Sequence, residues 1–262
     1  MNTEKKALFF DVDGTLLDDA GHVPESAVDA IRAARKRGHL IFVNSGRVKP
    51  LAEYINRFIE TDGLLCGCGT EILLGEKSIY TYILPPDVVE ELKKDSGNCR
   101  VDMWLEGPEG IAFSPELRVR WSGEVEQNVL NQGGMAAEGF QALSKVSKFC
   151  MQGNESSDYQ AMLKKYGRWF HMMDQSGGFY ECVPQGHDKA KALLRTLEYC
   201  GIPLENAYAF GDSVNDLEML RAVPHAVVMG AHAPELEYYG SFITKKLEDD
   251  GIAYAMQELG LI

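Results

Sequence analysis

The sequence has little of what marks membrane, secreted disulfide-rich or nucleic-acid-binding proteins. No apolar run approaches the ~18 residues that a transmembrane helix needs. The 6 cysteines are scattered over 262 residues, and no secretion signal precedes the first apolar run, so we expect reduced thiols and a cytoplasmic location. No basic stretch offsets the net charge of −13, which argues against nucleic acid and anionic membranes as partners.

The first apolar run ends in an acidic turn. Residues Ala7 to Phe10 predict a buried strand, and Asp11, Asp13 and Gly14 follow it. Ligands of a parallel α/β sheet bind beyond the carboxyl ends of its strands, where these carboxylates would lie. The alternative is a polar turn that only caps a core strand. A calcium loop is excluded, because Leu16 stands where it needs glycine.

Strand and helix patterns alternate in two separate parts of the chain, residues 1–83 and 185–262. The first part carries a helical pattern over 25–37, another over 49–60, and a hairpin that turns at Gly75 and Glu76. This alternation predicts an α/β fold with a doubly wound parallel sheet, Rossmann-like in outline. Residues 84–184 mix short strands with helices and predict an inserted α+β cap domain. Its tryptophans, Trp104, Trp121 and Trp169, are expected to pack in the cap core rather than line a substrate pocket.

Three later stretches carry polar groups that could complete a site. Ser45 follows the second strand and precedes a helix, a position that suits either phosphate binding or an ordinary helix cap. Lys189 lies in the first turn of its helix, where the helix dipole disfavours a cation unless an anion is near; it could equally be a surface lysine. Asp212 ends another strand, and Asp216 could form a capping box with Ser213.

These motifs together resemble those of a known family. Four parts of the sequence resemble, in this order, the four motifs of the haloacid dehalogenase-like (HAD) superfamily. They are Asp-Val-Asp-Gly-Thr from Asp11, Asn-Ser-Gly-Arg from Asn44, Lys189, and Gly-Asp-Ser-Val-Asn-Asp from Gly211. The match is closest to its Cof-type phosphatases, which carry a large cap between the second and third motifs. Such sequences mostly resemble Ala-Thr-Gly-Arg where this one has Asn44 and Ser45, and serine keeps the hydroxyl.

The resemblance implies a role for each motif. Asp11 would be the nucleophile that forms an aspartyl-phosphate, and Asp13 the general acid and base. Magnesium would be bound by Asp11, Asp212 and the backbone carbonyl of Asp13. The residues implied to bind the phosphate are Val12, Ser45, Gly46, Lys189 and Asn215, with Arg47 and Asp216 in support.

The sequence therefore predicts a magnesium-dependent phosphatase of a small phosphorylated metabolite. The resemblance favours a sugar phosphate, with nucleotide, flavin and pyridoxal phosphates as further possibilities. Two alternatives stay open: a phosphomutase on the same scaffold, and a non-catalytic sensor of a phosphorylated ligand. A sensor has no need of Asp13, whereas a phosphatase does. The oligomeric state is not predicted.

Overall fold

The computed structural model describes residues 4–131, 136–137, 139–140 and 143–262. Its strands are β1 (Ala7–Phe10), β2 (Leu40–Asn44), β3 (Gly63–Cys66), β4 (Glu71–Leu74), β5 (Lys77–Thr81), β6 (Asp102–Gly107), β7 (Gly110–Phe113), β8 (Ala136–Ala137), β9 (Lys148–Gln152), β10 (Phe170–Asp174), β11 (Phe179–Pro184), β12 (Ala207–Gly211), β13 (His225–Val228) and β14 (Phe242–Ile243). Its α-helices are α1 (Glu25–Lys36), α2 (Lys49–Ala52), α3 (Pro86–Asn98), α4 (Arg120–Asn131), α5 (Tyr159–Tyr166), α6 (Lys189–Cys200), α7 (Leu217–Ala222) and α8 (Gly251–Glu258).

The larger sheet has β1 at the centre of its parallel part. Its strand order is β14-β13-β12-β1-β2-β3-β4-β5, and β1 pairs in parallel with both β2 and β12. The chain builds the sheet outward from β1 in both directions, and right-handed crossovers then place helices on both faces. All four residues of β1 are buried, as a strand covered on both faces requires. The predicted doubly wound parallel sheet is confirmed.

The second sheet has the order β10-β11-β9-β6-β7-β8 and is antiparallel except between β7 and β8. Alternate residues of its strands serve two separate apolar clusters. Met103 and Leu105 belong to a cluster that includes Leu92 of α3 and Tyr166 of α5. Trp104, between them, packs instead with residues that include Phe113 and Val129. The predicted antiparallel α+β cap is thus confirmed as a fold.

The tryptophan prediction is right for one residue of three. Trp104 is 3% exposed, whereas Trp121 and Trp169 are each 41% exposed. Trp121 nevertheless packs against Trp104 with the two rings tilted and their centroids 6.1 Å apart, and the guanidinium of Arg168 lies 4.0 Å from the ring centre of Trp169. An exposed indole at such positions is covered on one side only, which sequence periodicity does not distinguish from full burial.

Two compact units make up the chain. One consists of Met1–Gly46, Ile55–Ile79 and Asp188–Ile262, and the other of Arg47–Tyr54 and Tyr80–His187. The boundaries predicted from the sequence, at 83/84 and 184/185, remain a prediction. The regular helix expected over 49–60 is wrong: α2 ends at Ala52 and a 3₁₀ helix, Glu53–Arg57, continues it. The helix tightens where the chain passes from one unit to the other, a common place for 3₁₀ geometry.

Across the described ranges, the helices lack the combination of length and hydropathy that a bilayer crossing requires.

Candidate active site

Three neighbouring strands of the larger sheet end at a cluster of polar groups. Asp11 follows β1, Ser45 follows β2 and Asp212 follows β12. Phe10, the last residue of β1, is in register with Val43 and with Phe210, so the three strands end at nearly the same level. The Asp11 amide donates to the carbonyl oxygen of Phe210 at 3.0 Å, which carries the pairing one residue past the strand.

A tight turn after Asp11 fixes the acidic side chains. Gly14 has φ of 81°, in the left-handed region that glycine adopts without strain. A Cβ atom at this position would lie 2.5 Å from Oδ2 of Asp212, so the turn also requires glycine because of its neighbour. Thr15 is fully buried and donates from Oγ1 to Oδ1 of Asp212 at 2.6 Å. The first and last predicted motifs are thereby hydrogen-bonded to each other.

Lys189 lies at the centre of this cluster. Its side chain is 1% exposed, and Nζ donates to Oδ1 of Asp11 at 2.7 Å, of Asn215 at 2.8 Å and of Asp216 at 2.6 Å. Burying an ammonium is costly unless it is paired and hydrogen-bonded, and here all three of its donors are used. The alternative that Lys189 is a surface lysine is therefore wrong. Two carboxylates, those of Asp11 and Asp216, favour a cation in this first helical turn.

Asp216 has a supporting position. It is fully buried, and while Oδ1 accepts from Lys189, Oδ2 accepts from the backbone amides of Asp212 at 3.0 Å and Ser213 at 3.1 Å. The capping-box alternative is thus correct in its geometry. The capping box and the ion pair with Lys189 coexist, because each of them uses a different oxygen of the Asp216 carboxylate.

Burial and mutual repulsion make the carboxylates hard to ionise together. Burial, and then the charge of Asp216, raise the pKa of Asp11 well above its usual value, against the opposing effect of Lys189. Burial also raises the pKa of Asp212 to about 6, despite the hydrogen bond from Thr15. Although burial alone would lower the pKa of Lys189, the charges of Asp11 and Asp216 outweigh it and raise that pKa. The lysine stays charged, and the acidic cluster has an excess of negative charge.

The residues present fit a hard divalent cation. Carboxylate oxygens of Asp11, Asp212 and Asp216 lie within 4.8 Å of one another. Both oxygens of Asp216 accept hydrogen bonds from the protein, whereas Lys189 and Thr15 bind Oδ1 of Asp11 and of Asp212 respectively. Oδ2 of each of these two aspartates is therefore the better oxygen to offer a cation, and Mg²⁺ prefers ligands of this kind.

The other predicted residues are placed less centrally. Ser45 is 1% exposed, and its amide donates to the carbonyl oxygen of Leu65 at 2.9 Å. Val12 is buried, Gly46 is half-buried, and Asp13 is exposed on the turn. Asn215 is half-buried, and its Oδ1 accepts from Lys189 and from the Ser213 hydroxyl, so Nδ2 is the group that remains to donate. Arg47 begins the 47–54 segment of the other unit.

Two residues of the site escaped the sequence reasoning. Thr15 belongs to the first motif, yet its hydroxyl has no recognisable function until Asp212 is known to lie beside it. Asn44 is fully buried at the end of β2, and its Nδ2 donates to the backbone carbonyl oxygen of Lys189 at 2.8 Å. The available signal was an amide at the end of an otherwise apolar strand.

Comparison with known proteins identifies the family of the chain. The family model for haloacid dehalogenase-like hydrolases matches residues 8–256. The Bacillus subtilis (strain 168) protein named "Putative phosphatase YkrA" is 30% identical over 270 residues, which cover 99% of each chain. An HMP-PP phosphatase of Shigella flexneri serotype 5b is 28% identical over 240 residues, covering 87% of this chain and 85% of its own.

Solved structures extend the comparison to the fold. A HAD subclass IIB sugar phosphatase, BT4131, superposes with a TM-score of 0.82 at 25% identity, covering 98% of this chain and 100% of its own. A hypothetical protein of Geobacillus kaustophilus HTA426 gives 0.87 at 22% identity over 98% and 100%, which supports the fold alone. The larger sheet and its strand-end site thus define an enzyme of phosphoryl chemistry. The chain belongs to the haloacid dehalogenase-like hydrolases of the Cof type, and it is a phosphatase.

Proposed function

We propose that this phosphatase is magnesium-dependent and hydrolyses a small phosphorylated metabolite through an aspartyl-phosphate on Asp11. The observation that carries the proposal is the contact of Lys189 Nζ with Asp11 Oδ1 at 2.7 Å, inside an acidic cluster. The buried cation opposes the rise in the pKa of Asp11 that burial causes, and it orients this strand-end carboxylate, as a nucleophile requires.

The first step transfers the phosphoryl group to the enzyme. The Asp11 carboxylate attacks phosphorus and forms a new O–P bond, while the bond from phosphorus to the leaving oxygen breaks. Asp13 gives its proton to that oxygen, which departs as an alcohol. Its exposed position on the turn after Asp11 suits a group that exchanges protons with a leaving group and with water.

The second step regenerates the enzyme. Asp13, now a carboxylate, takes a proton from a water molecule that attacks phosphorus, and the bond between Asp11 and the phosphoryl group breaks. Inorganic phosphate leaves, and both carboxylates return to their starting states. Val12, Ser45, Gly46, Lys189 and Asn215 are proposed to hold the phosphoryl oxygens, with Arg47 and Asp216 in support. The ammonium of Lys189 and the amide of Asn215 would offset the charge that develops there.

The proposed mechanism includes a bound Mg²⁺. Asp11, Asp212 and the backbone carbonyl of Asp13 would hold it, with Asp216 excluded from direct binding by its own hydrogen bonds. When bound, it would supply positive charge to neutralise the phosphoryl oxygens and the acidic cluster. Thr15 orients Asp212 for this purpose.

A sugar phosphate is the proposed substrate class, because one structurally similar protein is named as a sugar phosphatase. The similarity to a protein named as an HMP-PP phosphatase makes HMP-PP the next candidate. We assign substrate choice to residues 84–184 as the cap and place the enzyme in the cytoplasm, where thiols such as those of its 6 cysteines stay reduced.

The test is phosphate release from a panel of phosphorylated metabolites with and without magnesium. We expect metal-dependent release from at least one sugar phosphate, with no bisphosphate activator required. A requirement for such an activator would instead indicate a phosphomutase. Failure to hydrolyse even an aryl phosphate with magnesium present would contradict the proposal and favour a sensor of phosphorylated ligands.

A further inference from the structure

Asn44 is a buried polar residue that the proposed mechanism does not use. It is the last residue of β2, its side chain is fully buried, and Ser45 follows it directly. Nδ2 donates to the backbone carbonyl oxygen of Lys189 at 2.8 Å and contacts Sδ of Met219 at 3.1 Å. One amide therefore links β2 to the first turn of α6 and to α7.

The orientation of this amide follows from its main partner. A backbone carbonyl oxygen can only accept, so the side chain must present its nitrogen to Lys189. Oδ1 then has no hydrogen-bond partner among the described residues. A buried acceptor left in this state is destabilising, and an apolar side chain of the same shape would not carry it. The residue is therefore a poor choice for stability alone.

The Asn44 amide also helps to hold Lys189 in place. Nζ of that lysine is bound at the far end by Asp11 and Asp216, while the Asn44 amide holds the backbone at the near end. Because Ser45 is the next residue after Asn44, a single strand end then positions both the hydroxyl and the ammonium of the phosphate site. The Asn44 amide thus ties the backbone of Lys189 to the strand end that carries Ser45.

We infer that Asn44 is a positioning residue, which fixes Lys189 relative to Ser45 at the expense of some stability. The inference rests on the proposed phosphatase mechanism and deepens it. It assigns Asn44 no contact with substrate. Its effect passes through Lys189, so it should disappear when that lysine is removed.

The test compares Asn44→Leu with Thr196→Val on the full-length enzyme. Thr196 is also fully buried and also donates to a carbonyl oxygen of α6, that of Ala192 at 2.9 Å, two helical turns beyond Lys189. For Asn44→Leu we expect a melting temperature equal to or above that of the wild type. We expect kcat on an aryl phosphate to fall by roughly 10- to 100-fold, since misplacement of a catalytic group by about 1 Å has effects of this size. Thr196→Val should leave kcat and KM unchanged.

A second variant guards against a folding defect. Asn44→Ala removes the amide without adding bulk to the buried position. It should show the same loss of kcat. If both variants keep the kcat of the wild type, or if Thr196→Val loses as much as they do, Asn44 is only a packing residue and the inference is wrong.

Binding of inorganic phosphate gives a readout that needs no turnover. Calorimetry would compare the wild type, Asn44→Leu, Lys189→Met and the double variant, all with magnesium. The Asn44 substitution should weaken phosphate binding in the wild-type background and have no further effect beside Lys189→Met. Equal weakening in both backgrounds would overturn the inference. Loss of turnover in the wild type itself would count against the proposed function instead.

Discussion

Each unit of this protein buries one lysine between two carboxylates, and the two arrangements differ in what surrounds them. Lys189 of the first unit lies between Asp11 at 2.7 Å and Asp216 at 2.6 Å. Lys148 of the second unit lies between Glu106 at 3.0 Å and Glu181 at 2.5 Å, and both lysines are at most 2% exposed.

The surroundings distinguish a site from a structural ion pair. The Lys189 cluster stands beyond strand ends, beside a glycine turn and further carboxylates. Lys148 lies on β9, between the neighbouring strands β6 and β11, and shares its sheet with the packed Trp104 cluster. A buried ion pair within a sheet can often be replaced by apolar groups without loss of stability, whereas the carboxyl ends of parallel strands are where ligands bind. Buried charge by itself does not identify an active site.

The two clusters should differ most in turnover when Asp11→Asn is compared with Glu106→Gln. An amide oxygen is a poor nucleophile, so Asp11→Asn should show no measurable turnover and no phosphoenzyme. Glu106→Gln neutralises one of the two carboxylates that contact Lys148, and it should keep turnover near that of the wild type. Steady-state assay on an aryl phosphate checks both. Comparable losses in the two variants would mean that the Lys148 cluster is part of the chemistry.

Asp13→Asn should produce the next largest effect. The nucleophile remains, and the metal contact proposed there is a backbone carbonyl, so magnesium should still bind. Proton transfer is lost, which typically costs a factor of ~10²–10⁴ in each step that depends on it. The loss should be smaller for substrates whose leaving group is acidic, as a series of aryl phosphates would reveal. A loss that is independent of the leaving group would remove Asp13 from the acid role.

Replacing each lysine by methionine separates the two clusters by stability. Either change leaves two buried carboxylates unpaired, which costs about 3–5 kcal/mol. Magnesium should restore part of the melting temperature of Lys189→Met, since it brings positive charge to Asp11 and Asp212. It should raise the melting temperature of Lys148→Met by no more than it raises that of the wild type, because this variant keeps the proposed metal site and gains no new negative charge there. Thermal unfolding with and without magnesium measures this difference. An equal rise in melting temperature in both variants would contradict the proposed metal site.

The smallest predicted effect is a pH dependence of metal-free stability that arises from Asp212. Its pKa in the folded protein is about 6, against an ordinary 3.8, so the folded state holds the proton more tightly. Stability should fall as pH rises through this window, by up to about 3 kcal/mol. Asp212→Asn should lack this fall and become more stable relative to the wild type between about pH 4 and pH 7.

A matched control for that titration is Asp29→Asn, which changes an exposed carboxylate on α1 paired with Arg32. Denaturant unfolding in the presence of a chelator would compare the three proteins across the pH range. Added magnesium should raise the melting temperature of the wild type near pH 7 and have little effect on Asp212→Asn. An unchanged magnesium response in that variant would place the metal elsewhere.

The sequence predicts the two clusters with unequal success for a physical reason. Asp11, Asp13 and Asp212 come directly after strands or within the next turn, so the rule that parallel strands end at one edge brings them together without knowledge of the register. Lys148 and its partners lie inside strands that are antiparallel. Which side chains meet there depends on strand order and register, and a shift of one residue would reverse the faces.

The same distinction explains the errors at finer scale. The exposure of Trp121 and Trp169 depends on which other elements cover them, and their neighbours in sequence do not determine it. Asn44 and Thr15 acquire their roles only through partners more than 140 residues away along the chain. Local pattern predicted most of the elements, and the family resemblance supplied the roles of the site residues, but neither predicted these two contacts.

The central claim, a covalent phosphoryl intermediate on Asp11, is tested most directly by acid-quenched intact mass measurement. Asp13→Asn would be mixed with magnesium and an aryl phosphate that has an acidic leaving group, quenched in acid, and digested to locate the modification. The account predicts one added phosphoryl group, carried by the peptide that contains Asp11 and lost slowly as water attacks. A phosphoryl group on another peptide, or its accumulation in Asp11→Asn, would contradict it.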